Sequence, residues 1–271
     1  MISEEWLART FSPVSYADAY EAVEDYRRVQ RWAGRHPESG SSAAASALDL
    51  PRGRVRPWLE GAVPDAVRAI EAARDLGWFE ATPGNDRGRA FAVLSAGVLS
   101  GGSISAESYV PRFAVDDERV TDRLEHALDV LGCGSKLVNE TVEGRATELE
   151  PREHAPLLGR ALVALGLPAG AKADGDVVLP EWLAGAPLSV RAEFAELYLL
   201  NRAVGRDDKD LVQVQEAKRP LAYRRALAGF FEEVSGGRVT LAGEKAITLS
   251  AEASRALGFG RDGLYRRDGG G

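Results

Sequence analysis

Residues 94–104 read LSAGVLSGGSI. The first seven are apolar or small and suit a helix, and the run then meets two adjacent glycines. Gly101 and Gly102 predict the end of that helix, because a glycine pair loses too much backbone entropy on folding to prolong it. Ser103 and Ile104 open an extended segment at once. Within the helix, Ala96 and Gly97 carry almost no side chain, so another backbone can approach closely there.

Working outward, one order of elements occurs twice. In residues 89–170 a helix over 89–101 runs into an extended segment over 103–116. A helix over 118–131 follows, with Val120, Leu124, Ala127, Leu128 and Leu131 in phase. Residues 135–142 and 145–149 read as a hairpin around Glu143-Gly144, and a helix over 152–165 closes the copy. In residues 179–258, Pro180-Glu181-Trp182 leads into a helix over 189–204. A strand over 211–217 alternates Val212 and Val214 with Gln213 and Gln215. A helix over 222–234, a hairpin of 238–242 with 245–249, and a helix over 251–257 complete it. Each copy therefore reads α-β-α-β-β-α.

Residues 94–104, with the doubled order around them, resemble the LAGLIDADG homing-endonuclease fold. The match is nearest to the degenerate, non-cleaving form found in WhiA-type bacterial regulators, which also end this helix in Gly-Gly-Ser. A Pro-Glu-Trp ahead of the second motif helix is similar to a recurring feature of the family. The resemblance covers residues 90–258. It implies two helices packed at a pseudo-two-fold axis, with Ala96 and Gly97 against the 194–201 stretch, and with Phe194, Leu197, Tyr198, Leu200 and Asn201 near the seam. It also implies an acidic residue at the end of each helix to bind a catalytic metal. In this chain the first ending is Ser100-Gly101-Gly102-Ser103-Ile104. Alignment on Phe194 places Arg202 at the second acidic position, and alignment on Gly205 places Val204 there. Neither supplies a carboxylate, so no catalytic or metal-binding residue is expected, and no cofactor. Asp116, Asp117, Asp207 and Asp208 are the nearest acids in sequence.

The resemblance further implies a saddle on a DNA major groove, formed by the polar faces of the strands. Its candidates are Tyr109, Arg112, Lys136, Asn139 and Arg145 in the first copy. In the second they are Gln213, Gln215, Lys218, Arg238 and Lys245. Gln and Asn side chains match adenine, and Arg and Lys match guanine. For any single one of them, an ordinary solvent-facing strand residue is the better reading.

Ahead of this region lies a helical head, residues 1–81. Ser15 is placed to cap a helix that runs to about Gly34, with Asp18 completing an approximate capping box. Residues 41–61, SSAAASALDLPRGRVRPWLEG, resemble a helix-turn-helix. The first helix covers 41–48, Asp49-Leu50 is the turn, and Pro51 sits at a first helical position. Arg52, Arg54 and Arg56 then lie where a groove-reading helix presents its side chains, with Val55, Trp58 and Leu59 facing inward. Pro57 is expected to kink or shorten that helix. The alternative is a plain three-helix packing unit with solvated arginines. A helix over 65–76 follows, Trp78 and Phe79 plug the end of the domain, and TPGNDRG over 82–88 is the natural linker. Residues 261–271 are expected to form a disordered tail.

At 271 residues the chain has room for two domains and a sizeable core. No apolar run approaches the roughly 20 residues of a membrane span, and the polar start MISEEWLART is unlike a signal peptide. A single cysteine, Cys133, excludes an internal disulfide and a cysteine-based zinc cluster, and His36, His126 and His154 have no ligand-like spacing. A net charge of −7 argues against nonspecific coating of nucleic acid. The basic residues are 29 Arg and only 5 Lys. No phosphate loop, dinucleotide fingerprint or nucleophile elbow is present. The expectation is an α+β, cytoplasmic, monomeric regulator that binds specific double-stranded DNA and engages the transcription machinery. An active endonuclease and a protein–protein adaptor that has lost DNA are the competing readings.

Overall fold

Twelve α-helices and two four-stranded antiparallel sheets make up the residues described by the computed structural model, 1–12, 15–115, 117–140, 142, 144, 146–170, 177–206 and 209–260. This mixture of helix and antiparallel sheet is compatible with an α+β fold. The chain packs as two units, Ile2–Phe79 and a second that begins at Glu80. The expected tail, 261–271, lies outside the described residues.

The first unit holds α1 (Glu4–Ala8), α2 (Ala19–Arg35), α3 (Ser41–Leu48), α4 (Arg52–Leu59) and α5 (Asp65–Asp75). Asp18, not Ser15, caps α2, its Oδ1 accepting from the Tyr20 amide at 2.9 Å. Tyr16 is held out of the helix because its hydroxyl donates to Asp25 at 2.9 Å. Burial and that bond push the Tyr16 phenol up to about 12. Asp49 ends α3 at φ +54, a region that Asp tolerates better than most residues. The Leu50 amide then donates to the Ala45 carbonyl at 3.0 Å, closing the turn. Pro51 proves to be the cap of α4, not its first residue. The helix continues through Pro57 to Leu59. One missing amide is tolerable there because only two residues remain. Val29, Ala44, Ala45 and Val55 form the core beneath α2, α3 and α4, and Trp58 and Leu59 pack on it as expected.

The second unit repeats one order of elements. Helix α6 (Asp86–Ser100) precedes β1 (Ser103–Ile104), β2 (Pro111–Ala114), α7 (Glu118–Val130), β3 (Ser135–Val138), β4 (Glu148–Pro151) and α8 (Ala155–Ala164). After a short α9 (Glu181–Ala184), the series recurs. It runs α10 (Leu188–Arg202), β5 (Ala203–Arg206), β6 (Lys209–Gln215), α11 (Leu221–Ser235), β7 (Val239–Ala242), β8 (Ala246–Leu249) and α12 (Ala251–Ala256). The two sheets have equivalent strand orders, β1-β2-β4-β3 and β5-β6-β8-β7. Each repeat is therefore α-β-β-α-β-β-α and carries one strand more than the α-β-α-β-β-α expected. The first extended segment folds back on itself, with Tyr109 at φ +56 and the Ser105 amide donating to the Val110 carbonyl at 3.1 Å. The 82–88 stretch also differs from a linker in its last residues. Asn85 accepts from the Gly88 amide at 2.9 Å and starts α6 at Asp86.

Pleating sorts the strand residues by face. In the second sheet Val212, Val214, Ile247 and Leu249 are buried, while Gln213, Thr248 and Thr240 stand side by side on the opposite face. Helices α6 and α10 pack against each other, yet Gly97 does not serve that contact. A Cβ there would meet Leu124 Cδ2 at 2.8 Å and Phe113 Cδ1 at 3.0 Å, both within its own repeat. Gly101 lies nearer α10: a Cβ there would meet Ala114 Cβ of its own repeat at 3.2 Å and Asn201 Nδ2 at 3.5 Å. Asn201 donates across the seam to Ser100 Oγ at 2.8 Å. Phe194 likewise turns toward its own repeat, edge-on to Phe230 with ring centroids 5.4 Å apart.

Candidate nucleic-acid interface

Strand register gathers two of the first repeat's candidates into one row. Ser103 pairs with Arg112, and Lys136 pairs with Glu150 on the neighbouring strand. Glu150 sits between the two cations, taking Arg112 Nε at 3.0 Å on Oε2 and Lys136 Nζ at 2.9 Å on Oε1. Burial raises its carboxyl, but the bonds from Lys136 and Arg112 outweigh burial and hold it below the ordinary value. Asn139, at φ +65 just beyond β3, donates to Glu148 at 3.1 Å. Tyr109 lies in the β1–β2 turn, off the strands, with the Arg160 guanidinium 3.8 Å over its ring. It is therefore a loop residue and not part of a strand face. Arg145, Asp116, Asp207 and Asp208 lie outside the described residues.

The Glu150 bridge fixes a pH dependence. A folded-state pKa below the unfolded value gives stability that is present above the unfolded pKa and lost as pH falls through the folded one. The wild type should exceed Glu150→Gln by about 1 kcal/mol at neutral pH, a figure discounted because both cations are nearly half exposed. That margin should shrink as the pH drops below the ordinary 4.5. Urea melts of both proteins across that range would show it, and a pH-independent difference would contradict the bridge.

The second repeat presents a different surface. Gln213 donates to Thr248 Oγ1 at 3.2 Å, and Gln215 is exposed on the same face. Lys218, Arg238 and Lys245 are exposed in the turns and strand ends around the sheet. The middle of this outer face carries hydroxyl and amide groups, and those cations lie at its edges. Val204, one of the two alternatives for the second acidic position that the resemblance implies, stands half exposed beside Gln213.

The other alignment, Arg202, opens onto a buried polar chain. Glu216 is 1 % exposed and accepts from Tyr198 Oη at 2.7 Å and Arg202 Nε at 3.1 Å. Tyr223 Oη donates to Tyr198 Oη at 3.2 Å. Arg219 lies 3.5 Å from the Glu216 carboxylate and donates to the Leu99 carbonyl, at the end of α6, at 2.9 Å. Burial, with Tyr223 and Glu216 alongside, pushes the Tyr198 phenol well up. The ends of α6 and α10 thus carry Ser100, Asn201 and an arginine paired with Glu216. Among the described residues there is no group of three or more His, Cys, Asp or Glu placed to hold a metal ion.

In the first unit the three arginines are not equivalent. Arg54 lies 4.1 Å over the Tyr16 ring and donates to the Ser15 carbonyl at 3.0 Å. It acts as a packing residue. Arg56 pairs with Glu60 one turn on at 2.7 Å, and Arg52 reaches Ser41 Oγ at 3.3 Å; both are exposed. Glu150 and Glu216 were not anticipated as site residues. The alternation of Glu148-Leu149-Glu150 was available as a signal for the first, and the acid directly after Val-Gln-Val-Gln for the second.

No family model matches the chain, and no match to a curated protein was found. No helix among the described residues is long and apolar enough to cross a membrane.

Proposed function

We propose that this chain binds double-stranded DNA of defined sequence and acts as a transcription regulator. In this reading a helix-turn-helix head is joined to a LAGLIDADG-like region that has lost its chemistry, the module pairing of WhiA-type regulators. The observation that carries it is the duplicated sheet, whose outer faces present Arg112, Lys136, Gln213 and Gln215. The short α4, with Arg52 and Arg56 exposed, adds a second reading edge. Arg and Gln are the side chains that pair with guanine and adenine edges. The chain is proposed to be non-enzymatic, monomeric and cytoplasmic, because the motif ends carry no carboxylate and the two repeats already supply both halves of a saddle.

The test is selection from a random duplex library, followed by anisotropy on the enriched sequence. One motif should emerge. Arg52→Ala or Arg56→Ala should weaken it by about 1–3 kcal/mol if the residue reads a base. A lost phosphate contact should instead weaken all sequences alike and flatten the salt dependence by about one unit. Effects of Arg112→Ala and Gln215→Ala should add to those of the head. If no sequence is enriched, the DNA reading fails. One observation then favours a protein–protein adaptor, because Glu150 already occupies both cations of the first sheet.

A further inference from the structure

A cleft of about 480 Å³ opens between α6 and α7 of the first repeat and is edged by Glu193 of α10. Its volume falls within the range of small-ligand sites, roughly 300–1,000 Å³. The floor is apolar. Of the α6 residues from Ala90 to Ser100, Val93 alone is not fully buried, and it lines this cleft together with Ala90, Ala127 and Val130. The rim carries Arg89 and Asp86 on α6, Arg123 and His126 on α7, and Glu193 on α10. Arg123 is engaged with Glu196 at 3.1 Å.

Arg89 is incompletely served. Its Nε is buried and has no hydrogen-bond partner. Its Nη2 makes a long 3.3 Å bond to Ser189 Oγ, and the nearest Glu193 oxygen stands 3.7 Å away, beyond hydrogen-bond reach. A buried donor left unpaired costs free energy that an acceptor would return. Nε and a terminal nitrogen form one edge of the guanidinium fork, which matches the two oxygens of a carboxylate side-on. We propose that this cleft binds a small carboxylic acid with an apolar body. Its carboxylate closes on the Arg89 fork, and its hydrocarbon lies on Val93, Ala127 and Val130. A bare inorganic anion would leave that floor exposed to water. Because the cleft is bounded by the first repeat and by α10 of the second, the ligand joins the repeats away from the strand faces, and the inference does not depend on DNA binding.

The experiment is calorimetric titration of the full chain with isovalerate, benzoate and 3-phenylpropionate, and with 3-phenylpropionamide and inorganic phosphate as contrasts. At least one of the carboxylates should bind at a single saturable site. Arg89→Gln should weaken it tenfold or more, the scale of a lost charge-assisted pair, about 1.5–3 kcal/mol. Arg89→Lys, which keeps the charge without the fork, should fall between them. Val130→Asp should abolish binding while leaving Arg89 in place, with thermal melts verifying that each variant is folded. The proposal is overturned if the amide binds as well as the acid, if phosphate binds more tightly than every carboxylate, or if no carboxylate saturates by about 10 mM.

Discussion

Glu216→Ala is expected to cost the second unit about 3–5 kcal/mol, the scale of breaking a buried ion pair from one side. The carboxylate is almost wholly enclosed and serves Tyr198, Arg202 and Arg219 together. Removing it takes a carboxylate away from the Arg219 guanidinium, whose side chain is only 8 % exposed. It also strands the Tyr198 hydroxyl as a donor in the core. Glu216→Gln retains an acceptor for Tyr198 and should lose less. Urea unfolding followed by circular dichroism measures both. A loss below about 1 kcal/mol for Glu216→Ala would mean that the two arginines reach water and that the network is not structural.

Phe194→Ala should fall in the same range, about 3–5 kcal/mol, by a different mechanism. The ring is fully buried and packs edge-on against Phe230 and nearly parallel to Tyr198, with centroids 5.4 and 6.3 Å away. Its neighbours are themselves rigid aromatics held by Phe231, so they cannot collapse into the space. The cavity should therefore remain, and the cost should rise toward the upper end of the range. A melting temperature close to that of the wild type would show that the cluster can repack around the gap.

The residues themselves carried much of this fold. The small-residue run into Gly101-Gly102, the alternation of Val212 to Gln215 and the phase of Val120 to Leu128 each located an element, because each is a local pattern with its own period. What they left hidden was non-local. Ser103-Ile104 is too short for alternation to reveal a strand, so the fold-back at Tyr109 was invisible. The absence of a side chain at Gly97 signals that something comes close without saying what. Leu124 and Phe113 are what come close, and Gly101 lies nearer the seam. The pairing of Lys136 with Glu150 depends on strand register, which no single segment encodes. Arg54 read as a groove residue because its partner, the Tyr16 ring, lies 38 positions earlier in the chain.

The contacts between the repeats are unlike on the two sides: Arg89 and Arg123 of the first repeat donate to Ser189 and Glu196 of the second, and the helix ends run the other way. Asn201 and Arg219 of the second repeat donate, and Ser100 and the Leu99 carbonyl of the first repeat accept. Two copies of the first repeat would leave the Leu99 carbonyl without Arg219, and two copies of the second would leave Glu196 without Arg123. Whatever symmetric pair of half-length chains a duplicated architecture permits in principle, these halves have become complementary instead of self-complementary. The duplication is therefore locked at the level of individual bonds. Neither half supplies the partners that the other now uses.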